Sequence, residues 1–554
     1  MKVVNSNNPN SKVDRSSWVA LAILSVVATF VMYVETMVIP AIPDMIKDFA
    51  IPYNTSSWIL ASYLVTAAVT APILGKLSDV YGRKKLLLIS VVIYSVGITL
   101  GGVAHNLSIM LLARSMQGIG FAVIPISFSI IRNKFPEDKL SLAMGIFTPM
   151  YAAGTVLGVA AGGNIVERLG WHATFLTVLP VTIIFLVLVT KFITEQKIVP
   201  KKLSDDNRIK ITKIIDIKGA ITLAATISTF LLVLTYLQNS GLANSSYLVV
   251  TLAATAIVSL VLFVITERRT TNPLVDIRLI MHKTLLPTNL TILLNALGMF
   301  LIFQTIPVLV RSPFPLGFGG NAVSATNVIL PLMVAFLIFA SFTSYLLPRI
   351  GNLKMVMIGG IMNVFGFAGL YLFHNAESMI SVNLAIIGAG IALLNNGAFN
   401  ASMISTPKQV SGISLSISAM LYIIGSSIGP SISGMFMQGN QAAIKGISGL
   451  FPNAESYNLI FLTGFMVSVV TLALSIMIRK GLKVQTVKDE LDDSNTINLA
   501  FQLQSTRLKL IQEIRHFIIQ IYIQMIRFVK KTSSLRKNKN HIKNTITCEC
   551  RKNS

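Results

Sequence analysis

The chain has 554 residues, of which 53% are apolar and only 12% charged, and its mean hydropathy is +0.70. That balance excludes a soluble enzyme and points to a polytopic membrane protein. The 46 Lys and Arg against 22 Asp and Glu give a formal charge of +24, yet long stretches carry no charge, so the excess reads as membrane orientation and not as nucleic-acid binding.

Apolar runs of about 18 to 25 residues, the length needed to cross a bilayer, begin near residues 18, 56, 86, 107, 141, 173, 217, 246, 286, 323, 355, 379, 411 and 458. Fourteen crossings place both termini on one side. The loops assigned to that side hold 25 Lys and Arg, whereas the opposite loops hold only Lys47, Arg168, Arg311 and Lys445. The asymmetry assigns both termini to the cytoplasm. The first run, Trp18 to Pro40, follows Lys12 and Arg15, but it is too long for a signal peptide and lacks a small-residue cleavage pattern. It is read as a retained first span.

Glu35, in that span, is the one acid placed well inside any apolar run. A carboxyl in a low-dielectric cavity can bind and release a proton near neutral pH, or it can attract a cationic substrate. It can equally serve as a neutral hydrogen-bonder or as a partner for a buried cation. Between the second and third runs comes the polar stretch Gly75-Lys76-Leu77-Ser78-Asp79-Val80-Tyr81-Gly82-Arg83-Lys84-Lys85. It is too polar for hydrocarbon, its glycines permit tight backbone geometry, and it is expected to be a loop at the membrane surface.

This stretch resembles the signature loop of the major facilitator superfamily, roughly G-x-L-x-D-x-x-G-R-[KR], with Val80 where a cation usually follows the Asp. The resemblance implies a gate of Gly75, Asp79, Gly82, Arg83 and Lys84 that braces the ends of the two halves of a transporter and parts when it switches. Read without it, the same charges fix topology only. In span one, Glu35-Thr36 and Pro43 resemble the motif D-x-T-I-V-N-V-A-L-P, but Val34 takes the usual position of the Asp. Glu35 is displaced by one residue, about 100° around a helix.

Span four contains Arg114-x2-Gln117-Gly118-x-Gly120, similar to the superfamily's R-x-x-Q-G-x-G. An Arg inside a span costs about 2.5–3.5 kcal/mol on insertion scales, so it needs an acid, carbonyls or a wet cavity, or must snorkel to an interface. Span five contains Gly145-x8-Gly154-x3-Gly158-x3-Gly162-Gly163, similar to the antiporter motif of the superfamily with Val159 in place of its proline. Glycines four apart let a neighbouring helix approach the backbone, so Gly154, Gly158, Gly162 and Gly163 are expected to be a packing seam in either case.

Internal repeats support two related halves. Gly154 to Gly163 recurs as Gly425 to Gly434, Gly82 recurs as Gly351, and Glu35-Thr36 falls opposite Gln304-Thr305, at offsets of 271, 269 and 269 residues. The expected architecture is therefore all-α, a major facilitator fold with two six-helix halves and two extra central helices. Its segments are a cytoplasmic N-terminal tail (1–17), an N-terminal half (18–193), a cytoplasmic segment with the two inserted helices (194–266), a C-terminal half (267–479) and a cytoplasmic basic tail (480–554). Among the polar residues inside spans, Tyr63, Gln117, Gln304 and Asn396 are the candidates for a substrate cavity.

The tail carries an amphipathic pattern, Ile511, Ile514, Ile518, Ile521, Met525 and Phe528, with basic and polar residues opposite. It suits a helix that lies on anionic lipid or one that pairs as a coiled coil. Cys548 and Cys550 make an incomplete metal site and no disulfide framework, so neither metal nor cofactor is expected. No phosphate-cradling loop, zinc motif or nucleophile elbow appears, so the chain is not expected to be an enzyme. What remains is a plasma-membrane secondary transporter with a small-molecule substrate. The fourteen spans and the glycine seam resemble the drug/proton antiporter branch, which implies proton-coupled efflux of hydrophobic or cationic compounds, with Glu35 and Arg114 in coupling. Uptake or facilitation of a metabolite, and a sensor built on a transporter scaffold, are the alternatives.

Overall fold

The computed structural model describes residues 13–193, 216–237, 243–270, 273, 281, 285–405 and 411–492. The amphipathic stretch of the tail, Cys548 and Cys550, and most of the cytoplasmic segment after residue 193 lie outside these. The chain divides into two compact units, Met1–Arg479 and Lys480–Ser554. The first holds the membrane-length helices found among the described residues; in the second, residues 480–492 are helical.

The first unit opens with α1 (Arg15–Thr36), a 3-10 turn at Ile39–Ala41 and the short helices α2 (Ile42–Asp48) and α3 (Tyr53–Ser56). Next come α4 (Trp58–Tyr81), α5 (Arg83–Gly102), α6 (Leu107–Gly120), α7 (Val123–Lys134), α8 (Glu137–Leu169), α9 (His172–Leu176) and α10 (Leu179–Phe192). Two central helices, α11 (Ile217–Tyr236) and α12 (Ala243–Arg269), precede α13 (Leu285–Arg311), α14 (Ala322–Leu372), α15 (Glu377–Ile404), α16 (Ser411–Gly439) and α17 (Ala454–Asp492). Thirteen stretches among the described residues are long and apolar enough to cross a membrane. The 33-residue α8, about 50 Å long at 1.5 Å per residue, stands where a crossing is expected near residue 141. The fold is all-α apart from a hairpin before α17, β1 (Gln441–Ile444) and β2 (Ile447–Pro452), which the sequence reading did not anticipate.

The polar stretch 75–85 is not an extended loop. Helix α4 runs through Tyr81 and α5 starts at Arg83, so the reversal rests on Gly82 alone, at φ 99°. Left-handed backbone is open to glycine and costly for other residues. At the repeat position Gly351 has φ 78° and kinks α14 near the start of the second of its two spans, Ala322–Thr343 and Arg349–Leu372.

Close packing follows the glycines. A side chain on Gly154, Gly158 or Gly162 would strike the backbone oxygen of Thr29, Tyr33 or Met37, so α8 lies directly on α1. Gly425 and Gly429 make the same contact with the carbonyls of Leu293 and Leu297, which lays α16 on α13. Likewise Gly118 meets the Tyr63 carbonyl and Gly388 the Leu332 carbonyl. With Val159 at the motif's proline position, α8 runs unbroken from Glu137 to Leu169, and its one internal proline is Pro149. In α16, Pro430 does occupy that position.

This packing corrects one repeat assignment. Because Gly154 faces Thr29 and Gly425 faces Leu293, α1 and α13 correspond at an offset of 264 residues. Glu35 is then level with Met299; Gln304 stands more than a turn further on.

Candidate functional site

A cavity opens between the helices. Its walls come from α1 (Met32, Glu35, Thr36), α4 (Leu60, Leu64), α8 (Thr155), α13 (Met299, Phe300, Phe303), α14 (Phe336) and α16 (Tyr422, Ile423), with Phe121 from the break between α6 and α7 and Ile39 from the 3-10 turn. Both the early and the late spans contribute. Glu35 is the sole charged side chain among these residues, 7% exposed, and its carboxyl makes no side-chain hydrogen bond among the described residues. Thr36 beside it donates to the carbonyls of Met32 and Thr155, at 2.9 and 3.0 Å, and so pins this turn of α1 to α8.

Across the cavity, Phe300 and Phe303 meet edge to face with centroids 5.2 Å apart, and the Tyr422 hydroxyl donates to Met299 Sδ at 3.7 Å. Aromatic faces attract cations, and methionine adapts to irregular apolar shapes. The walls therefore suit an apolar or aromatic compound, and the lone carboxyl suits one positive charge or one proton.

Arg114 is completely buried beside this cavity. Its Nε donates to the Ile59 carbonyl at 3.0 Å and its Nη1 to Gln117 Oε1 at 2.8 Å, and Gln117 Nε2 donates to the Gly97 carbonyl at 3.0 Å. The guanidinium also lies 4.7 Å from the centroid of the Tyr63 ring. Carbonyls and a π-face thus meet most of the need that burial creates, while Nη2 has no partner among the described residues. Glu35 and Tyr94 lie within electrostatic reach of Arg114, but no ion pair joins Glu35 to it. The Tyr94 ring packs on Gly120, where no side chain would fit.

The four cavity candidates read from the sequence stand elsewhere. Tyr63 and Gln117 belong to the Arg114 cluster, as their hydrogen-bonding and ring contacts show. Gln304 is fully buried and donates to Ser56 Oγ at 2.9 Å. Asn396 donates to Thr343 Oγ1 at 3.0 Å and ties α15 to α14. None of them lines the cavity that holds Glu35. Apart from Glu35, which the sequence marked by its charge, the residues that do are mostly aliphatic and aromatic, with the same chemistry as side chains that face lipid.

At the signature stretch, Lys84 Nζ donates to the Thr190 carbonyl at 2.7 Å. In the amide orientation that satisfies both groups, Asn133 accepts from Arg83. Both cations thus hold α5 to α10 and α7, within the early spans. A side chain at Gly75 would meet nothing within 4 Å; that of Asp79 lies outside the described residues. Among the described residues, the side-chain hydrogen bonds that join the early spans to the late ones lie toward the opposite end of the bundle. There Arg311 grips Asp44 with both nitrogens, at 2.6 and 2.5 Å, and reaches the Pro40 carbonyl at 3.3 Å. The Ala322 amide donates to Glu167 and the Tyr53 amide to Gln438. Gly163 fits against Thr326, another contact of this seam.

A bundle of membrane-length helices around one carboxyl-bearing apolar cavity is the architecture of a membrane transporter for small molecules. Residues 24–430 match the Major Facilitator Superfamily, and the chain belongs to that family. It is 27% identical over 424 residues to the multidrug resistance protein Stp of Mycobacterium tuberculosis, covering 74% of this chain and 75% of that one. To multidrug resistance protein 3 of Bacillus subtilis it is 26% identical over 437 residues, covering 77% and 81%. The human organic anion transporter MFSD10 shares the fold with a TM-score of 0.56 at 12% identity, over 83% of this chain and 99% of that one.

Proposed function

We propose that the protein is a proton-coupled exporter of hydrophobic or cationic drug-like compounds that works by alternating access. The observation that carries this reading is Glu35: one unpaired carboxyl in an aromatic and methionine-lined cavity built from both early and late spans. A cationic substrate and a proton would compete for it, and that competition is the simplest form of exchange. The relatives named as multidrug resistance proteins support the substrate class.

In this reading residues 18–193 and 267–479 are two six-helix halves, 194–266 carries the inserted pair, and both termini face the cytoplasm of a cell membrane. Gly82, Arg83 and Lys84, with Asp79, form the cytoplasmic gate, and the packed seam at Arg311 and Asp44 is the outer closure. Arg114 acts on Glu35 through its field and holds the start of α4. The basic tail, residues 480–554, adds affinity for anionic lipid.

The test is accumulation of a dye cation in inside-out vesicles under an imposed pH gradient. The parent chain accumulates dye and loses it when the gradient is collapsed, and Glu35→Gln does not accumulate it. Gradient-independent uptake by the parent, or undiminished accumulation by Glu35→Gln, would overturn the proposal.

A further inference from the structure

The two inserted helices have no place in a six-plus-six scheme, yet α11 packs on both sides of the seam, against α3 and α4 from the early spans and α16 from the late ones. Two side-chain hydrogen bonds fix it at Thr235, near the end of α11, a residue 6% exposed. Trp58 Nε1 donates to Thr235 Oγ1 at 3.0 Å, and Asn54 Nδ2 donates to the Thr235 carbonyl at 2.5 Å. The hydroxyl in turn donates to the Leu231 carbonyl at 2.9 Å.

The segment thus held, residues 53–59, is the one on which the late spans close. The Tyr53 amide donates to Gln438 Oε1 at 3.1 Å, Gln304 donates to Ser56, and Gly434 packs against the Tyr53 carbonyl. One residue past Trp58, the Ile59 carbonyl accepts from Arg114. Four elements therefore converge on a single turn: α11, α13, α16 and the buried cation of α6.

We infer that α11 is a strap across the seam, and that the Thr235 joint with Trp58 and Asn54 stabilises the state closed at the end opposite Gly82. The inference rests on the alternating-access reading. When the bundle opens at that end, residues 53–59 must leave α16 and α13, and a segment anchored to α11 is free to do so only if the joint breaks or α11 travels with it. Hydrogen bonds to a residue as buried as Thr235 are costly to leave unmade. The inserted pair would then set how often the cavity opens, without touching substrate.

The test reads opening directly. With Cys548→Ser and Cys550→Ser removing both native thiols, Met299→Cys places one thiol in the cavity wall. Its rate of reaction with a membrane-impermeant maleimide is measured on intact cells and, in a parallel arm, on inside-out vesicles. Thr235→Val, which removes the hydroxyl and keeps the carbonyl, raises the rate on intact cells about fivefold, the effect of one buried hydrogen bond. Trp58→Phe raises it by a similar factor, the double variant no further than either single one, and Thr235→Ser stays at the parent rate.

Rates on intact cells unmoved by Thr235→Val, or single effects that multiply in the double variant, overturn the strap. A rise confined to the vesicle arm supports the strap and reverses the assigned topology. The labelling comparison does not depend on transport: loss of gradient-driven dye accumulation in the parent would overturn the efflux reading, while these rates still report the joint. A Thr235→Ser variant that labels as fast as Thr235→Val also overturns it, since the hydroxyl would then be irrelevant.

Discussion

Glu35 and Met299 occupy matching positions on α1 and α13, as the glycine contacts of α8 and α16 define them, and both face the same cavity. One brings the only charge in the walls; the other offers a thioether that accepts from Tyr422. The site is thus asymmetric within a near-symmetric frame. A cation bound there has one carboxylate to approach, and a proton on that carboxylate removes the attraction.

The pH dependence of binding follows from this competition. Affinity for a monovalent dye cation should rise with pH, by up to tenfold per unit while the Glu35 carboxyl is mostly protonated, and level off once it is ionised. With Glu35→Gln the affinity should be lower and flat across the same range. Fluorescence titration of the purified protein between pH 5 and 8.5 checks both, and a pH-dependent Glu35→Gln variant would place the titrating group elsewhere.

Arg114 should not accept lysine. Its guanidinium serves the Ile59 carbonyl and Gln117 at once while lying on Tyr63, and an ammonium has neither the fork nor the flat face. Arg114→Lys is expected to destabilise the protein by about 3 kcal/mol, the range for a buried charge deprived of partners. Arg114→Met, which brings no charge into the core, should fold better and still fail to couple. Thermal unfolding in detergent together with vesicle transport separates the two effects; equal stability of the Lys variant and the parent would refute the geometric argument.

Two glycines of the sequence motifs should respond in opposite ways. Gly158→Leu must push α8 off the Tyr33 carbonyl and the Thr36 hydroxyl, an overpacking worth about 1–3 kcal/mol. Gly75 lies within α4 with open space where a side chain would stand. Gly75→Ala should leave stability unchanged or raise it by about 0.5–1 kcal/mol, the helical preference of alanine over glycine. If transport by Gly75→Ala nevertheless falls, the space at that residue is needed in the other conformation.

The Arg311–Asp44 pair predicts a charge exchange. Its side chains are 18% and 28% exposed, so the bidentate geometry is worth about 1 kcal/mol and not more. Arg311→Ala should raise maleimide labelling of the cavity thiol from the outer side several-fold. The double exchange Asp44→Arg with Arg311→Asp should recover part of that change, and recovery no better than either single reversal would show that the pair does not close the seam.

What could be read in advance was whatever the bilayer makes rare. A carboxyl and a guanidinium within apolar runs stand out because hydrocarbon tolerates neither, and glycines four apart announce a close helix contact, so Glu35, Arg114 and the seam of Gly154 to Gly162 were visible as residues. Their neighbours were not. Phe300, Phe303 and Phe336 in the cavity have the same chemistry as phenylalanines that face lipid, and nothing in a one-dimensional pattern separates them. Gln304 was misassigned because a repeat offset from Thr36 and Thr305 differs from the offset at which the helices pack. Arg311 and Asp44 are 267 residues apart and look like ordinary loop charges until the chain brings them together.

A cavity with a single carboxyl has an electrical consequence. If a monovalent cation leaves for each proton that enters on Glu35, no net charge crosses the membrane in a cycle, and voltage can neither drive nor oppose the exchange; only the proton concentration difference, about 1.4 kcal/mol per pH unit, does the work. An uncharged substrate exchanged on the same carboxyl would move one positive charge inward per cycle and draw a further 2.3 kcal/mol or so from each 100 mV. The same protein would then be electrically silent with one class of compound and current-carrying with another, and cells would clear neutral compounds more strongly as their membrane potential rises.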